Sequence, residues 1–184
     1  MRSKIVIVLM TLIALALSVL PSRAQEKDAT TIILARHAEE NRLLDAIPLT
    51  DQGSVRAKAL AVVLKEVKID AIYSTDTLRA KSTAGPVAEA KGLSLNFYDY
   101  KKYTDLQPFV DGLLKKYQGK TVLIVGHSDD VPAMISILSK DAGGVENVYA
   151  LPKLVYDNLF IVFVPVNGKA TVLNLKYGEP SVPK

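Results

Sequence analysis

The chain has 184 residues, 49% of them hydrophobic and 23% charged, and its formal net charge at pH 7 is +4. This length suits one domain, and the composition is that of a folded globular protein rather than a disordered one. The sequence contains no cysteine and two histidines, which excludes disulfides, thiolate zinc sites, iron–sulfur clusters and a cysteine nucleophile.

Residues 1–24 have the pattern of a secretory signal peptide. Arg2 and Lys4 give the segment a basic start, residues 5–20 form an apolar run, and Ser22-Arg23-Ala24 places small residues where a signal peptidase cuts. An uncleaved membrane anchor is the alternative, but the apolar run is shorter than the roughly 20 residues that a spanning helix needs. We therefore expect cleavage after Ala24.

Cleavage would change the charge balance of the chain. Residues 1–24 carry three basic residues and no acidic one, so the domain over residues 25–184 has a net charge of +1. A nearly neutral domain has no electrostatic attraction for nucleic acid or for an anionic membrane. We expect an exported protein, periplasmic in a Gram-negative host and secreted otherwise, with no nucleic-acid partner and no stable membrane anchor after cleavage.

The region after residue 24 alternates predicted strands and helices. Runs of β-branched and apolar residues predict strands at 31–35, 69–73, 93–98, 121–125, 159–166 and 170–175. Amphipathic patterns predict helices at about 50–67, 77–91 and 105–117, and a fourth between Asp129 and Gly143. Strands that alternate with helices favour an α/β sandwich with a mostly parallel sheet in a single domain.

The first helix has a clear start and an apolar face. Thr50 is a good N-cap residue. Val55, Ala59, Val62 and Val63 fall on one side of the helix, and we expect that side to face the core.

Proline and glycine residues mark further boundaries. Pro86 is expected to kink the helix at 77–91 or to divide it in two, and Gly92 to end it. Asn167-Gly168, between the last two strands, predicts a two-residue hairpin turn of type I′.

Both histidines directly follow a predicted buried strand. His37 comes after TIILAR, and His127 comes after TVLIVG. Ligands of open α/β sheets bind at the C-terminal edge of the strands, so both imidazoles belong to the edge where a site is expected. If the two strands are neighbours, the imidazoles face each other across a crevice.

Arg36 and Arg79 supply positive charge near the same edge. Arg36 ends a buried strand, where an arginine requires an anionic partner, and Arg79 lies in the first turns of the helix after the second strand. Guanidinium groups bind phosphate oxygens bidentately, and the helix start at 74–77 also favours anions. Two arginines, two histidines and a helix start together predict a site for a phosphoryl group.

Four segments occur in the order typical of one protein family. They are LARHAEEN, PLTDQGSVRAKAL, IYSTDTLRAKSTA and VLIVGHSDDVPAMI. With them the chain resembles the histidine phosphatase superfamily, whose phosphoglycerate-mutase-like fold is a three-layer α/β/α sandwich. The resemblance extends from about Ile32 to Asn158.

The resemblance implies a role for each of four residues. His37 would be the nucleophile that accepts the phosphoryl group, Arg36 and Arg79 would bind the phosphate, and His127 would donate to its oxygens in the transition state. A neutral imidazole is a competent nucleophile near neutral pH, and phosphoryl transfer depends chiefly on positioning and charge stabilisation. Water would then hydrolyse the phosphohistidine, and neither a metal nor another cofactor is expected.

A general acid for the leaving group is less clearly marked. Asp99, after the third strand, is the first candidate and Asp105 is a rival. Asp129 resembles the acid that directly follows the second histidine in the acid-phosphatase branch, but the spacing differs by one residue. Together with Asp130 it is more simply interpreted as a helix N-cap. Without an acid the site would favour good leaving groups, or phosphoramidates such as phosphohistidine, as in the small phosphohistidine phosphatases.

Other residues depart from the family pattern or fit it loosely. Ala38 stands where the family often has glycine, which matters only if the backbone there needs a positive φ. Asn41 is at an uncertain spacing for the family's asparagine and is interpreted as a loop residue. Tyr98, Tyr100 and Tyr103 are interpreted as packing residues rather than as the mouth of a pocket.

The expected function is an exported phosphatase that hydrolyses a phosphomonoester or a phosphoramidate through a phosphohistidine on His37. A domain of about 160 residues has little room for the enclosing segments of a sugar-phosphate mutase, so hydrolysis is favoured. The expected partner is a small phosphorylated substrate or a phosphoprotein. The alternative is a non-catalytic module on the same fold that binds a phosphorylated ligand or a protein.

Overall fold

The computed structural model describes residues 29–99, 106–140, 151–152 and 154–181, so the predicted signal peptide lies outside the described residues. The elements of the described part are β1 Thr30–Arg36, α1 Asp51–Val63, β2 Ala71–Thr75, α2 Leu78–Lys91, β3 Leu95–Tyr98, α3 Gln107–Lys116, β4 Thr121–Gly126, α4 Asp130–Leu138, β5 Asn158–Val164 and β6 Thr171–Lys176. None of the helices among these elements is long and apolar enough to cross a membrane.

The six strands form one mixed sheet in the order β3-β2-β4-β1-β5-β6. Strands β3, β2, β4 and β1 run parallel, whereas β5 is antiparallel to β1 and β6 is antiparallel to β5. The predicted parallel arrangement is therefore confirmed for the first four strands, and the final hairpin makes the sheet mixed. β1 and β4 are direct neighbours, so the residues that follow them meet at one edge.

Helices cover both faces of this sheet. Ile32 and Val122 pack on the face that α3 and α4 cover, and Ile33 and Leu123 pack on the face that α1 and α2 cover. All four side chains are almost fully buried, because successive residues of a strand point to opposite faces and both faces are covered. The predicted three-layer α/β/α sandwich is confirmed.

The buried face of α1 differs from the predicted one. Val55, Val62 and Val63 are exposed over 62%, 73% and 48% of their surface, and Ala59 is half-buried. The residues that α1 buries are instead Gly53, Arg56, Ala57 and Leu60. Hydrophobic periodicity missed this face because one of its members is an arginine with a buried ionic partner and another is a glycine. The helix also ends at Val63, earlier than predicted.

Pro86 does not divide α2 in two, so of the two predicted outcomes only a kink is left as a prediction. The helix runs from Leu78–Lys91 without a break. Proline removes one backbone donor from a helix, but the burial of the neighbouring Val87 and Ala88 stabilises this segment against the sheet. Gly92 ends the helix in the left-handed conformation with φ of 64°, as predicted.

The hairpin between β5 and β6 has a longer loop than predicted. Phe163 and Thr171 form the last pair between these two strands, and β5 ends at Val164, so the loop takes in residues 165–170. Asn167 does not have the positive φ that a type I′ turn requires at both central residues. Pro165 explains the early end of the ladder, because proline has no N–H to donate to a neighbouring strand.

β2 is shifted toward the predicted site. It begins two residues later than predicted and extends to Thr75, because Asp70 accepts the backbone N–H of Thr121 at 2.9 Å just before the strand starts. At its other end Thr75 pairs with Tyr98 of β3. The shift places Thr75 at the sheet edge that carries the histidines.

Candidate active site

His37 and His127 meet at the C-terminal edge of the parallel strands. Arg36 of β1 is in register with Gly126 of β4, and the backbone N–H of His37 donates to the carbonyl oxygen of Gly126 at 2.8 Å. The two imidazole rings lie edge to face, with centroids 5.2 Å apart. Only 2% and 5% of the two residues' surface is exposed. The predicted juxtaposition is confirmed because β1 and β4 are neighbours.

The contacts of His37 define its tautomer. Its Nδ1 lies 2.8 Å from the carbonyl oxygen of Ala38. A carbonyl oxygen only accepts, so Nδ1 carries the hydrogen and the neutral ring presents the lone pair of Nε2. Burial, with a further contribution from Arg36, Arg79 and Arg42, lowers the pKa of His37 to about 3. The imidazole is therefore neutral near pH 7, which is the state that a nitrogen nucleophile needs.

His127 is held at both ring nitrogens. Its Nδ1 lies 3.4 Å from Nη2 of Arg79, and its Nε2 lies 2.9 Å from Oγ1 of Thr75. A guanidinium only donates, so Nδ1 accepts and Nε2 carries the hydrogen in the neutral ring. Burial, followed by the proximity of His37 and Arg79, lowers the pKa of His127 to about 3.

Arg36 is buried under the loop that precedes β5. Its guanidinium carbon lies 4.2 Å from the ring centre of Tyr156, and its Nη1 donates to the carbonyl oxygens of Pro152 at 3.1 Å and Val155 at 3.4 Å. The ring of Tyr156 also approaches that of His37, with 6.0 Å between centroids. Burial lowers the pKa of Arg36, but an arginine remains charged at every physiological pH.

Arg79 reaches the site from the first turn of α2. Besides its contact with His127, its Nε lies 3.0 Å from Oε2 of Glu40. Its backbone carbonyl oxygen accepts from Oγ1 of Thr83, which in turn accepts the backbone N–H of Ala38 at 2.9 Å. All four predicted side chains thus converge at this edge, while the catalytic roles assigned to them stay predictions.

Glu40 is a site residue that the sequence analysis did not identify. Only 4% of its side chain is exposed. Its Oε2 contacts Arg79 and lies 3.8 Å from Nε2 of His37, and its Oε1 accepts from Nε of Arg42 at 2.7 Å. A carboxylate thus lies beside the proposed nucleophile, in contact with an arginine predicted to bind phosphate.

A buried ion pair fixes the segment that carries Glu40. Both carboxylate oxygens of Glu39 accept from Nε of Arg56, at 2.9 and 3.0 Å. Arg56 also donates to the carbonyl oxygen of Tyr177 at 3.0 Å. A Cβ atom at Gly53 would lie 2.2 Å from the carbonyl oxygen of Glu39, so glycine allows α1 to approach this segment closely.

Asp130 organises the turn that carries His127. Its carboxylate accepts the backbone N–H of His127 through Oδ1 and the hydroxyl of Tyr98 at 2.8 Å through Oδ2. Burial raises the pKa of Asp130 to about 6. Asp129 is the N-cap residue of α4 as predicted, but its side chain makes no capping hydrogen bond. The neighbouring Asp130 instead accepts a backbone N–H of the turn, that of His127.

The candidates for the general acid fall in different places. Asp99 is exposed and lines an open cleft of about 510 Å³ together with Tyr73, Tyr98 and Lys116. Asp129 is exposed at the start of α4. Asp105 lies outside the described residues. The role of Asp99 as the general acid stays a prediction.

The remaining predictions concern local conformation and packing. Ala38 is fully buried and does not have a positive φ, so alanine fits without strain. Asn41 accepts the backbone N–H of Leu43 at 3.1 Å, which confirms it as a loop residue. Tyr98 is 5% exposed and stacks on Phe109 with 4.8 Å between centroids, so it is a packing residue, whereas the tyrosines at 100 and 103 lie outside the described residues.

Among the described residues, no group of three or more histidine, aspartate or glutamate side chains is arranged to hold a metal ion. The positive charge at the site comes from arginine side chains. Arg36, Arg42 and Arg79 all act on the pKa of His37, so they lie within electrostatic range of its imidazole. Such an arrangement of arginines can stabilise an anion next to a neutral imidazole nitrogen.

The residues that were missed differ in the signal they carry. Glu40 stands three residues after His37, close enough in sequence to have been considered as a site residue. Thr75 and Thr83 lie in the same IYSTDTLRAKSTA segment as Arg79, so their proximity to Arg79 in sequence is the signal that points to them. Tyr156 has no local signal, because only the folding of the loop before β5 brings it to Arg36.

Part of this chain matches a known protein family by sequence. The sequence model of the histidine phosphatase superfamily (branch 1) matches residues 32–99. The matched segment contains Arg36, His37 and Arg79 and ends at Asp99. A comparison with curated proteins found no match.

Several solved structures have the same fold. A mycobacterial glucosyl-3-phosphoglycerate phosphatase has a TM-score of 0.59 and 18% identity, over 73% of this chain and 90% of that one. A candidate phosphohistidine phosphatase, SixA, from Agrobacterium tumefaciens has a TM-score of 0.56 and 18% identity, over 78% and 97%. Mycobacterial hydrolase 1 has a TM-score of 0.62 and 18% identity, over 79% of this chain and 97% of that one.

At these identities the structures show a shared fold. The match over residues 32–99 is independent of them, because it rests on sequence alone. This chain is therefore similar to the histidine phosphatase superfamily in sequence over residues 32–99, and it shares the phosphoglycerate-mutase-like fold of the solved structures.

Proposed function

We propose that this protein is a phosphatase that forms a phosphohistidine on His37. One observation carries the proposal: the ring centroids of two buried neutral imidazoles lie 5.2 Å apart at the C-terminal edge of the sheet, with Arg36 and Arg79 beside them. A buried, uncharged nitrogen next to fixed guanidinium groups is what nucleophilic attack on an anionic phosphoryl group requires.

The geometry supports a role for each group in the transfer. Nε2 of His37 attacks phosphorus, and the bond between phosphorus and the leaving oxygen or nitrogen breaks, while Arg36 and Arg79 neutralise the charge on the phosphate oxygens. As the ring becomes positive, its Nδ1–H donates to the Ala38 carbonyl oxygen, which stabilises the charge and fixes the ring. His127, fixed by Thr75 and Arg79, lies beside His37 to stabilise the transferring group. Water then breaks the phosphorus–nitrogen bond and releases phosphate.

The proposed substrate is a phosphomonoester or a phosphoramidate. Proteins with the same fold include a glucosyl-3-phosphoglycerate phosphatase and a candidate phosphohistidine phosphatase. Asp99, which follows the parallel strand β3 at the edge of the sheet that carries the histidines, is the proposed proton donor for an alkoxide leaving group. The nitrogen of a phosphoramidate is protonated more readily than the ester oxygen of a phosphomonoester. Its departure therefore depends less on such an acid.

We further propose that turnover requires no metal ion. The charges that neutralise the phosphoryl group are supplied by side chains, chiefly Arg36 and Arg79, which take the part that metal ions play in other phosphatases. Export is also part of the proposal and is supported by the signal-peptide pattern of residues 1–24.

The test is hydrolysis of p-nitrophenyl phosphate by purified protein in the presence of a chelator. We expect turnover in the parent protein and its loss in His37→Ala, with a phosphate adduct on His37 that survives neutral but not acidic conditions. Lys58→Ala, an exposed change on α1, is the matched control and is expected to retain activity.

Two results would contradict the proposal. One is turnover that survives in His37→Ala. The other is a folded parent protein that binds inorganic phosphate but shows neither turnover nor adduct, which would support the non-catalytic binding module instead.

A further inference from the structure

We propose that Glu40 is an internal competitor for the phosphate: its carboxylate occupies the arginine contact that a phosphoryl group needs and must rotate away before a substrate binds. This inference rests on the proposed function, because it assumes that the phosphoryl group is directed to His37. It concerns a residue to which neither the family resemblance nor the proposed mechanism gives a role.

The position of the carboxylate is the first argument. Oε2 of Glu40 lies 3.0 Å from Nε of Arg79 and 3.8 Å from Nε2 of His37. Reacting atoms in a productive complex are about 3–3.5 Å apart. Phosphorus poised for transfer would therefore lie as close to Nε2 as the carboxylate oxygen does, and its own oxygens would need the guanidinium that Glu40 holds.

Charge is the second argument. Carboxylates and phosphates bind guanidinium groups in the same manner, so the Glu40 carboxylate is a chemical analogue of the phosphate at Arg79. A phosphate placed beside it would meet a like charge in a poorly hydrated site, since only 4% of the Glu40 side chain is exposed. Both anions cannot share Arg79 without a large electrostatic cost.

The third argument concerns how Glu40 moves. Its backbone is fixed, because it forms a β-bridge with Leu49 and the next residue, Asn41, donates to the carbonyl oxygen of Pro48 at 2.8 Å. Only the side chain is therefore free to change position. Arg42 provides the outward partner, since it already contacts Oε1 of Glu40 and its own side chain is 68% exposed.

These contacts describe a side-chain exchange. Substrate phosphate takes Arg79, and the Glu40 carboxylate rotates toward Arg42 and solvent without any movement of the backbone. The cost of breaking the contact between Glu40 and Arg79 lowers the affinity of the site for every phosphorylated ligand. Removal of the Glu40 charge is therefore expected to tighten binding.

The experiment measures the affinity of the purified protein for inorganic phosphate by calorimetry. Glu40→Gln keeps the size of the side chain and removes its charge, and Glu40→Ala removes both. We expect both variants to bind phosphate about tenfold or more tightly than the parent, because the buried ion pair between Glu40 and Arg79 no longer has to be broken. Glu66→Gln, whose side chain is 90% exposed in the parent, is the matched control and is expected to bind as the parent does.

A second readout separates competition from a structural role. If Glu40 competes with phosphate, Glu40→Gln lowers KM for p-nitrophenyl phosphate and leaves kcat near that of the parent. Unchanged or weaker phosphate binding in two folded Glu40 variants would overturn the inference and make Glu40 a residue that positions Arg79. If the parent binds phosphate and the variants bind it no more tightly, the proposed function is left intact. If neither the parent nor the two variants bind phosphate, the proposed function is overturned as well.

Discussion

His37 and His127 each have a nitrogen held by a defined partner, the Ala38 carbonyl oxygen and the Thr75 hydroxyl. These contacts fix the rings, and burial then determines their charge. Burial is the largest cause that lowers both pKa values to about 3. At the scale of single residues, the site is therefore built to keep two imidazoles uncharged next to arginines.

A pH dependence of stability follows from these two residues. Their pKa of about 3 in the folded protein lies below the ordinary value of 6.5. The unfolded chain therefore binds protons below pH 6.5 that the folded protein does not bind until about pH 3. The free energy of unfolding is expected to fall as the pH decreases through this interval.

Urea unfolding at about pH 7 and about pH 4.5 measures the effect. His37→Asn removes one of the two histidines and is expected to lose less stability than the parent between these values. Asp130, whose pKa is raised to about 6, acts in the opposite direction, but it is present in both proteins and cancels in the comparison. Equal losses in the parent and the variant would contradict the prediction.

The junction between β4 and α4 shows how elements support the site. Gly126 ends β4, Asp130 begins α4, and Tyr98 ends β3. A Cβ atom at Gly126 would lie 2.5 Å from both Oδ1 of Asp130 and the hydroxyl oxygen of Tyr98. Three elements therefore meet at a point with no room for a side chain, and the carboxylate that holds the backbone of His127 lies at that point.

Gly126→Ala is expected to destabilise the protein by about 1–3 kcal/mol, the usual cost of a forced shift in a packed interior. It is also expected to reduce phosphatase activity, because the new methyl group displaces Asp130 from the backbone N–H of His127. Gly112→Ala in α3 is the control, since a Cβ atom there has no neighbour within 4 Å and alanine favours a helix by up to about 1 kcal/mol. Equal stability and activity of the two variants would show that the contacts at Gly126 are unimportant.

At the scale of the whole molecule, the chain has two parts of different character. Residues 1–24 hold a basic start and a long apolar run, whereas residues 25–184 are nearly neutral and alternate strands with helices. The elements of the described residues form one sheet with helices on both faces. The N-terminal segment is therefore expected to direct the chain and not to contribute to its core.

Expression of the full chain in a Gram-negative host tests this expectation. We expect a periplasmic protein whose measured mass corresponds to a start at Gln25, because the signal peptidase recognises the small residues before it. A version that begins at Gln25 is the control and is expected to stay in the cytoplasmic fraction. Recovery of the full-length mass in the membrane fraction would support the uncleaved anchor.

Local patterns in the sequence are enough to predict the features that depend on neighbours along the chain. The buried strands at 31–35 and 121–125, the histidine after each of them, and Arg36 and Arg79 were all identified from local patterns. Apolar β-branched runs predict strands because their side chains fill both covered faces of a sheet. Since parallel strands end at a common edge, the position of the site followed as well.

The residues that complete the site from distant parts of the chain, and the faces that are buried, depend on the folded arrangement. Tyr156 reaches Arg36 across 120 positions of the chain, and no local pattern records such a contact. Arg56 is buried because it donates hydrogen bonds to Glu39 and to the Tyr177 carbonyl oxygen. A prediction based on the polarity of single residues therefore assigned the wrong buried face to α1. Glu40 faces inward because a β-bridge with Leu49 fixes its backbone, and the energy of a buried charge depends on partners that only the fold brings together.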